Sequence, residues 1–311
     1  TVSVTATVGV QTAFLGVVGL EEYSVAVTSG ATTKEGHGDY VCMLALNRTM
    51  SGGLKFRGSR DLSGLDCTVR ANSNASSAVV GIGANYVANA KSFCAVGGGQ
   101  NAGGLNPGLT TCEEMDDPYA KVAPPSVGGC NHTNLTLNPG PHTLNPGVYC
   151  GGILVQANAN VTMKPGIYVI KDGTFTVRGL ATVTGHRVAL HLTGANTQLE
   201  LLGGSNVDIK APKSGDLAGF AIYQDADSNP GSTSVITGGG SITLEGVLYQ
   251  PTHKVLLQGN GDINTGAKMS AMVADNFEMS GSGLFMIAPD SNGADLPDIT
   301  PVVVTPSSLT N

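Results

Sequence analysis

The chain of 311 residues contains no tryptophan, and only 13% of its residues are charged. It has no apolar run long enough for a transmembrane helix and no signal peptide. The densest basic stretch, Lys55, Arg57 and Arg60, is too sparse to bind a phosphate backbone. We therefore expect no nucleic-acid partner. Because the chain opens within a strand-like run, TVSVTATVGV, we also expect a processed or truncated N-terminus.

What the chain does contain is glycine, 44 residues of it, and a hydrophobic fraction of 41%. Low charge predicts disorder only when apolar content is low as well, so we expect an ordered chain. The apolar residues form short alternating runs that are broken by Gly, Asn and Pro. This pattern is typical of many short strands joined by tight turns.

The cysteines are even in number and all lie in the first half of the chain. The shortest interval between neighbouring cysteines is 18 (112 − 94 and 130 − 112), whereas zinc sites usually contain a Cys-x₂₋₄-Cys pair. Disulfides are the better interpretation, which places the chain in an oxidising compartment: extracellular, at the cell surface or periplasmic. The six are Cys42, Cys67, Cys94, Cys112, Cys130 and Cys150.

Changes of composition divide the chain into five segments. The first resembles a β-α-β fragment with its helix near residues 11–19; two repetitive tracts follow, separated by a loose Gly/Pro-rich connection, and a Pro-rich tail without a helix ends the chain. The segments are residues 1–35, 36–96, 97–130, 131–288 and 289–311.

Fixed spacings within the two tracts predict stacked parallel strands. Cys42 and Cys67 are separated by an interval of 25 (67 − 42), and Gly58 and Gly83 by the same interval (83 − 58). The Asn-Pro-Gly-Val-Tyr block at 145–149 recurs as Lys-Pro-Gly-Ile-Tyr after an interval of 19 (164 − 145). Such periods indicate an all-β, parallel β-solenoid (β-helix) of about 19–27-residue coils over 40–285. An antiparallel sandwich remains the alternative.

The same spacings assign structural roles to individual residues. Gly can adopt the positive φ that tight corners require, so we expect coil corners at Gly58, Gly83, Gly147 and Gly166. Cysteines in matching places of adjacent coils would stand about 4.8 Å apart, within reach of a disulfide. This predicts the bridges Cys42–Cys67 and Cys130–Cys150, and elimination leaves Cys94–Cys112.

Catalytic and metal-binding patterns are weak. Asp225, Asp227 and Asn229 form a loose Ca²⁺ candidate, but the run lacks the Gly and the closing Glu of an EF-hand loop. We expect a solvated turn there, and no metal that folding requires. The dispersed histidines are predicted to be solvated turn residues. No cofactor and no catalytic centre is expected.

Several short motifs resemble the C-terminal region of TadE/TadG-like proteins of the Flp (tight-adherence) pilus system. They are Cys42-Met-Leu-Ala-Leu-Asn, Gly58-Ser59, Leu65-Asp-Cys-Thr-Val-Arg-Ala-Asn-Ser73, Asn145-Pro-Gly-Val-Tyr-Cys-Gly-Gly152, Lys164-Pro-Gly-Ile-Tyr168 and Gly238-Gly-Gly-Ser-Ile-Thr-Leu-Glu-Gly246. The resemblance covers roughly residues 1–290. Members of that family begin with a hydrophobic anchoring helix; the 311 residues contain no such stretch, so we expect it to have been removed by processing or truncation.

The resemblance implies a non-catalytic, minor pilin-like component with a role in assembly or adhesion. Its partners would be other pilus or envelope subunits, copies of itself, or surface glycans, and it would touch a membrane only through the anchoring helix. Two other classes stay open. One is a carbohydrate-binding or carbohydrate-cleaving β-helix, and the other is a self-assembling extracellular filament subunit whose open sheet edges pair end to end.

Overall fold

The structure, a computed structural model, describes residues 2–11, 22–31, 39–83 and 85–303. The chain forms two compact units: Thr1–Asp39 with Val303–Asn311, and Tyr40–Val302. The boundaries that composition suggested at 97, 131 and 289 all fall inside the second unit.

The first unit contains an antiparallel pair, β1 (Val2–Gln11) and β2 (Glu22–Ala31). Its register runs from Val2 opposite Ala31 to Gln11 opposite Glu22. Both strands occupy the alternating runs that predicted them. The helix predicted near residues 11–19 lies outside the described residues, apart from Gln11, which ends β1.

The second unit is built from short strands, because apolar residues alternate with polar ones over a few positions before a turn residue intervenes. In β14, for example, Ala159, Val161 and Met163 are buried while Asn160 and Thr162 are exposed. The strands before the long connection are β3 (Asp39–Ala45), β4 (Leu54–Arg57), β5 (Ser59–Ala71), β6 (Val79–Ile82), β7 (Val87–Ala95), β8 (Gly99–Gln100), β9 (Leu105–Asn106) and β10 (Leu109–Thr111).

The strands after the connection are more numerous. They are β11 (His132–Leu137), β12 (Gly140–Leu144), β13 (Gly147–Val155), β14 (Ala159–Met163), β15 (Gly166–Val177), β16 (Thr182–His186), β17 (Val188–Thr193), β18 (Gln198–Leu201), β19 (Asn206–Lys210), β20 (Phe220–Gln224), β21 (Thr233–Gly238), β22 (Ile242–Gly259), β23 (Ser270–Met279), β24 (Ser282–Met286) and β25 (Val302–Val303).

The named strands that pair in the described part of this unit do so in parallel. Asn160 lies opposite Thr182, an interval of 22 (182 − 160). Leu54 lies opposite Val79, an interval of 25 (79 − 54). Buried Tyr149 and Tyr168 stack on each other from neighbouring strands, with ring centroids 5.9 Å apart. The apolar core therefore consists of matching side chains on successive strands.

The predicted β-solenoid is nevertheless wrong as a fold class. The parallel pairings β15–β17, β17–β20, β20–β22, β22–β21, β21–β18 and β18–β15 return to their starting strand, so these six strands form a closed parallel barrel. Closure arises because β15 and β22, with 12 and 18 residues, are long enough for different parts of each strand to pair with different barrel strands: β17 and β18 for β15, and β20 and β21 for β22.

The predicted coil length also fails at two of the six barrel pairings. Leu190 lies opposite Ile222, an interval of 32 (222 − 190), and Glu200 lies opposite Val235, an interval of 35 (235 − 200). The reason is the irregular segment 211–219 between β19 and β20, which lengthens this part of the chain without adding a strand.

The two repetitive tracts meet in an order opposite to their order in the chain. Strand β23 pairs with both β3 and β4, and β24 pairs with β5, so residues from Asp39 onward continue the sheet beyond its last long strands. The segment after β10 must therefore return from one end of the pairing path, at β10, to the other, at β11.

The first part of the predicted tail belongs to the second unit. A short helix, α1 (Ser291–Ala294), begins after Asp290, whose side chain accepts a hydrogen bond from the Gly293 amide. The expectation of no helix here is wrong. Ser291–Ala294 contains no proline, and the hydrogen bond to Asp290 gives a partner to an amide at the start of the helix that has none within it. Tyr40 donates a hydrogen bond to Asp298 (3.1 Å). No helix in the described part of the chain is long and apolar enough to cross a membrane.

The predicted corner glycines lie at strand boundaries. Gly58 separates β4 from β5 with φ +77°, and Gly83 follows β6 with φ +97°. A Cβ at Gly58 would lie 2.9 Å from the carbonyl oxygen of Gly281, so a side chain is excluded by contact as well as by conformation. Gly147 and Gly166 are the first residues of β13 and β15.

Candidate functional site

The six cysteines form three disulfides with the predicted pairings: Cys42–Cys67, Cys94–Cys112 and Cys130–Cys150. Cys42 and Cys67 lie on paired strands β3 and β5 and are completely buried. Three disulfides indicate an oxidising environment. Cys130 precedes β11 and is exposed. In the register of β11 and β13, Thr133 lies opposite Cys150, so the bridged cysteines do not occupy matching positions on the two strands.

Two of these bridges hold the ends of one segment, residues 112–130, which we call the strap. Its first residue is bonded to Cys94 of β7 and its last to Cys150 of β13. Eight parallel pairings separate β7 from β13, a distance of about 38 Å at the usual strand spacing. An extended chain of the strap's length reaches up to about 60 Å, so the strap can run along the whole path.

Hydrogen bonds fix the first part of the strap to β5. The Arg70 guanidinium donates to the carbonyl oxygen of Glu113 (2.7 Å). The Asn72 side chain donates to the Met115 carbonyl (2.7 Å) and accepts from the Met115 amide (3.1 Å). Since both side chains are buried, these bonds replace partners that water would otherwise supply.

An aromatic cluster holds the middle of the strap. Tyr119, which is 4% exposed, packs edge to face on Phe220 and Tyr249, with ring centroids 5.0 and 5.4 Å away. Tyr223 joins the cluster through Phe220 and Tyr249 at 5.5 and 5.4 Å. Edge-to-face contacts of this kind add to the stabilisation from burial itself.

The hydroxyl groups of the cluster all donate within the protein. Tyr249 donates to the Asp117 carboxylate (2.8 Å), Tyr223 to the Val122 carbonyl (2.9 Å) and Tyr119 to the Ile299 carbonyl (2.8 Å). Burial, followed by the charges of Asp225 and Asp117, raises the pKa of Tyr223 to about 12. The three hydroxyl groups therefore help to hold the strap on the sheet, and each tyrosine is less than 5% exposed.

A cleft of about 380 Å³ lies beside this cluster, between the strap and the turn that follows β20. At its wall, Asp225 Oδ1 lies 2.7 Å from His191 Nε2. Burial would raise the pKa of Asp225, but hydrogen bonds from His191 and Thr193 outweigh it and lower the pKa. His191 is fully buried in β17, so the prediction of a solvated turn histidine is wrong for this residue.

The Ca²⁺ candidates do not converge further in the structure. Asp225 is bonded to His191, Asp227 is exposed, and the Asn229 amide donates to Ser232 Oγ (2.5 Å). Within the described ranges, no three His, Cys, Asp or Glu side chains are grouped as a metal would need. That folding requires no metal stays a prediction, which melting with and without a chelator tests.

His253 is a second buried histidine that its sequence context did not reveal. It is 0% exposed, within β22, and burial lowers its pKa to about 4. Neighbouring Thr252 and Lys254 are polar, so only the fold shows that this ring faces inward.

This burial predicts acid sensitivity over a defined pH range. The unfolded chain binds a proton at His253 below pH ~6.5, whereas the folded chain binds it only near pH 4. The contribution is complete above pH 6.5 and is lost as the pH falls to 4, about 3 kcal/mol in total. Lowered pKa values at Asp225 and Glu278 act at still lower pH.

Urea unfolding followed by circular dichroism at pH 7, 5.5 and 4.5 measures this slope. His253→Gln should flatten it, while replacement of the exposed His132 by Gln should leave it unchanged. A slope that persists in His253→Gln would rule out this histidine as its source.

A family model described as "Domain of unknown function (DUF7305)" matches residues 119–293. The matched range begins at Tyr119 of the strap and includes the barrel strands and most of α1. No curated protein and no solved structure matches the chain.

Proposed function

The chain belongs to the family whose model matches residues 119–293, and we propose that it is a non-catalytic structural subunit of a bacterial cell envelope or Flp/Tad-type pilus. Its environment would be the periplasm, the cell surface or the extracellular space. The three disulfides support this proposal, since they persist only under oxidising conditions. So do the motifs shared with TadE/TadG-like proteins.

One observation carries the proposal: the sheet of the second unit ends in strands with open edges. Among the described residues, β11 pairs only with β13 and β12 only with β14. Unpaired strand edges are templates for pairing with another chain. Pro141 contributes no N–H group, so a partner strand would pair through β11 and the remaining residues of β12.

The hydrogen bonds that hold the strap support a structural role as well. The carboxylate of Asp117 and the three tyrosine hydroxyls make bonds within the protein, and Asp225 is held by His191. These groups stabilise the path of the strap along the sheet. Other envelope or pilus subunits, or copies of this chain, are the partners that an open edge fits.

A matched pair of threonines tests the edge. Thr143 of β12 lies opposite Thr162 of β14, and both are exposed. Only Thr143 is on an edge strand, because β14 also pairs with β16. A lysine on an edge strand disfavours pairing with an incoming strand.

Thr143→Lys is therefore expected to reduce the assembled fraction at least tenfold, while Thr162→Lys leaves it near the wild-type value. Sedimentation and negative-stain electron microscopy of the purified full chain measure that fraction. Equal assembly of both variants, or a wild-type chain that stays monomeric at high concentration and with envelope extracts, would overturn the proposal.

A further inference from the structure

A second cavity has a volume of about 540 Å³ and is lined by several basic side chains. Its lining residues are distant in sequence from the strap. Cavities of this size hold small organic ligands. The chain as a whole carries a net charge of −7, whereas basic side chains outnumber acidic ones at this cavity. The ionisable side chains at the wall are His186, Arg187, Lys210, Lys213, Lys268, Glu245 and Asp295.

Strand register places part of this wall on one line. His186 of β16 lies opposite Lys210 of β19, and Lys210 lies opposite Glu245 of β22. Neighbouring strands are about 4.8 Å apart. The Lys268 amide donates to Glu245 Oε2 (3.1 Å), which brings a fourth chain segment to the same line.

The carboxylates at the wall do not balance its cations. Glu245 is 4% exposed, and its carboxylate lies 3.6 Å from the Lys210 ammonium, with which it pairs. Lys213 pairs with Asp295. Across the residues that the structure describes, no carboxylate lies within ion-pair distance of Arg187 or Lys268. Two positive charges at one cavity therefore have no internal counterion.

The backbone at Arg187 is an independent observation. Its φ is +62°, in the left-handed region. Eight other described non-glycine residues share positive φ, and all are Asn or Asp, whose short side chains tolerate it. A glycine at this single-residue corner between β16 and β17 would adopt the same conformation without strain. An arginine here places a guanidinium at the cavity despite an unfavourable backbone.

We propose that this cavity binds an acidic sugar unit, a monosaccharide that carries a carboxylate or a phosphate. The anionic group pairs with Arg187 and Lys268, and Lys210 adds a further donor. A carboxylate or phosphate alone would fill only a small part of 540 Å³, given about 30 Å³ for a water molecule. The remaining space fits a hydroxylated ring, whose hydroxyl groups can donate to Asp295.

Isothermal titration of the purified full chain at low ionic strength tests the proposal with four probes: glucuronate, glucose 6-phosphate, glucose and inorganic phosphate. We expect glucuronate or glucose 6-phosphate to bind with a Kd of about 0.1–1 mM. Glucose and inorganic phosphate should each bind at least tenfold more weakly. Binding should weaken in about 0.5 M salt, because the pairs are partly exposed.

Arg187→Gly removes the charge and relieves the backbone, so it should fold at least as stably and lose affinity at least tenfold. Lys268→Gln should show a similar loss and serves as the second variant. Lys121→Gln, at an exposed lysine of the strap, should bind like the wild type. Unchanged affinity in both cavity variants, equally tight binding of inorganic phosphate, or no binding of either acidic sugar would overturn the proposal.

Discussion

Replacement of Tyr119 by Ala should lower the free energy of unfolding of the Tyr40–Val302 unit by about 3–5 kcal/mol, as for other large buried aromatic residues. Tyr119 is the residue through which the strap enters the aromatic cluster, and it is almost completely buried. The variant loses contacts with Phe220 and Tyr249 and the hydrogen bond to the Ile299 carbonyl. These contacts anchor the middle of the strap to the sheet.

Urea unfolding followed by circular dichroism measures this loss, since the chain has no tryptophan to report by fluorescence. Tyr119→Phe keeps the ring and loses one hydrogen bond, so it should cost about 1 kcal/mol. Leu180→Ala, at a side chain that is 69% exposed, should stay within about 0.5 kcal/mol of the wild type. A loss below about 1 kcal/mol in Tyr119→Ala would show that the strap does not stabilise the sheet.

Removal of the Cys42–Cys67 bridge is expected to have the second large effect. The bridge joins cysteines with a sequence separation of 25, and its loss should cost about 3 kcal/mol through the greater freedom of the unfolded chain. Both cysteines are fully buried, so the double variant Cys42→Ala/Cys67→Ala also leaves a small cavity. The Cys94→Ala/Cys112→Ala variant, in which Cys112 is only half-buried, should lose less.

Burial also predicts the order in which the bridges are reduced. Cys130 is exposed, so a thiol reagent should open Cys130–Cys150 first, and Cys42–Cys67 should resist until the chain unfolds. Alkylation followed by peptide mass mapping at increasing reductant concentration measures this order. Early alkylation of Cys42 in the folded chain would contradict the buried position of this bridge.

Regular intervals in the sequence predicted the features that depend only on how one strand pairs with the next. The interval between Cys42 and Cys67 and the positions of Gly58 and Gly83 are local signals, because each reflects one step from a strand to the next. Parallel direction and an all-β composition follow from the same repeats. The Cys42–Cys67 bridge could therefore be predicted before the strand register was known.

Closure of the barrel could not be predicted in this way. It depends on β22 continuing without interruption for 18 residues, across Gly246 and Pro251, where composition alone suggests strand ends. It also depends on the irregular segment 211–219, which changes the interval between paired strands. A period read from the chain assumes equal intervals, so it fails where an insertion lengthens one of them.

The strap and the buried histidines needed the structure for a different reason. Residues 97–130 are rich in Gly, Pro and acidic residues, a composition that predicts a loose connection. The hydrogen bond between Tyr249 and Asp117 spans a sequence separation of 132, and the one between Tyr119 and Ile299 spans 180. Single contacts over such separations leave no periodic signal. The side chains of His191 and Asp225, at a sequence separation of 34, likewise meet in a single contact.

Immunogold electron microscopy of intact, non-permeabilised bacterial cells that produce the chain is the most direct test of the structural role. Antibodies raised against residues 40–302 should label the cell exterior or its appendages, and the chain isolated from that material should contain all three disulfides. Cells without the chain serve as the control. Label confined to the cytoplasm, together with free thiols at Cys42 and Cys67, would contradict an exported structural subunit.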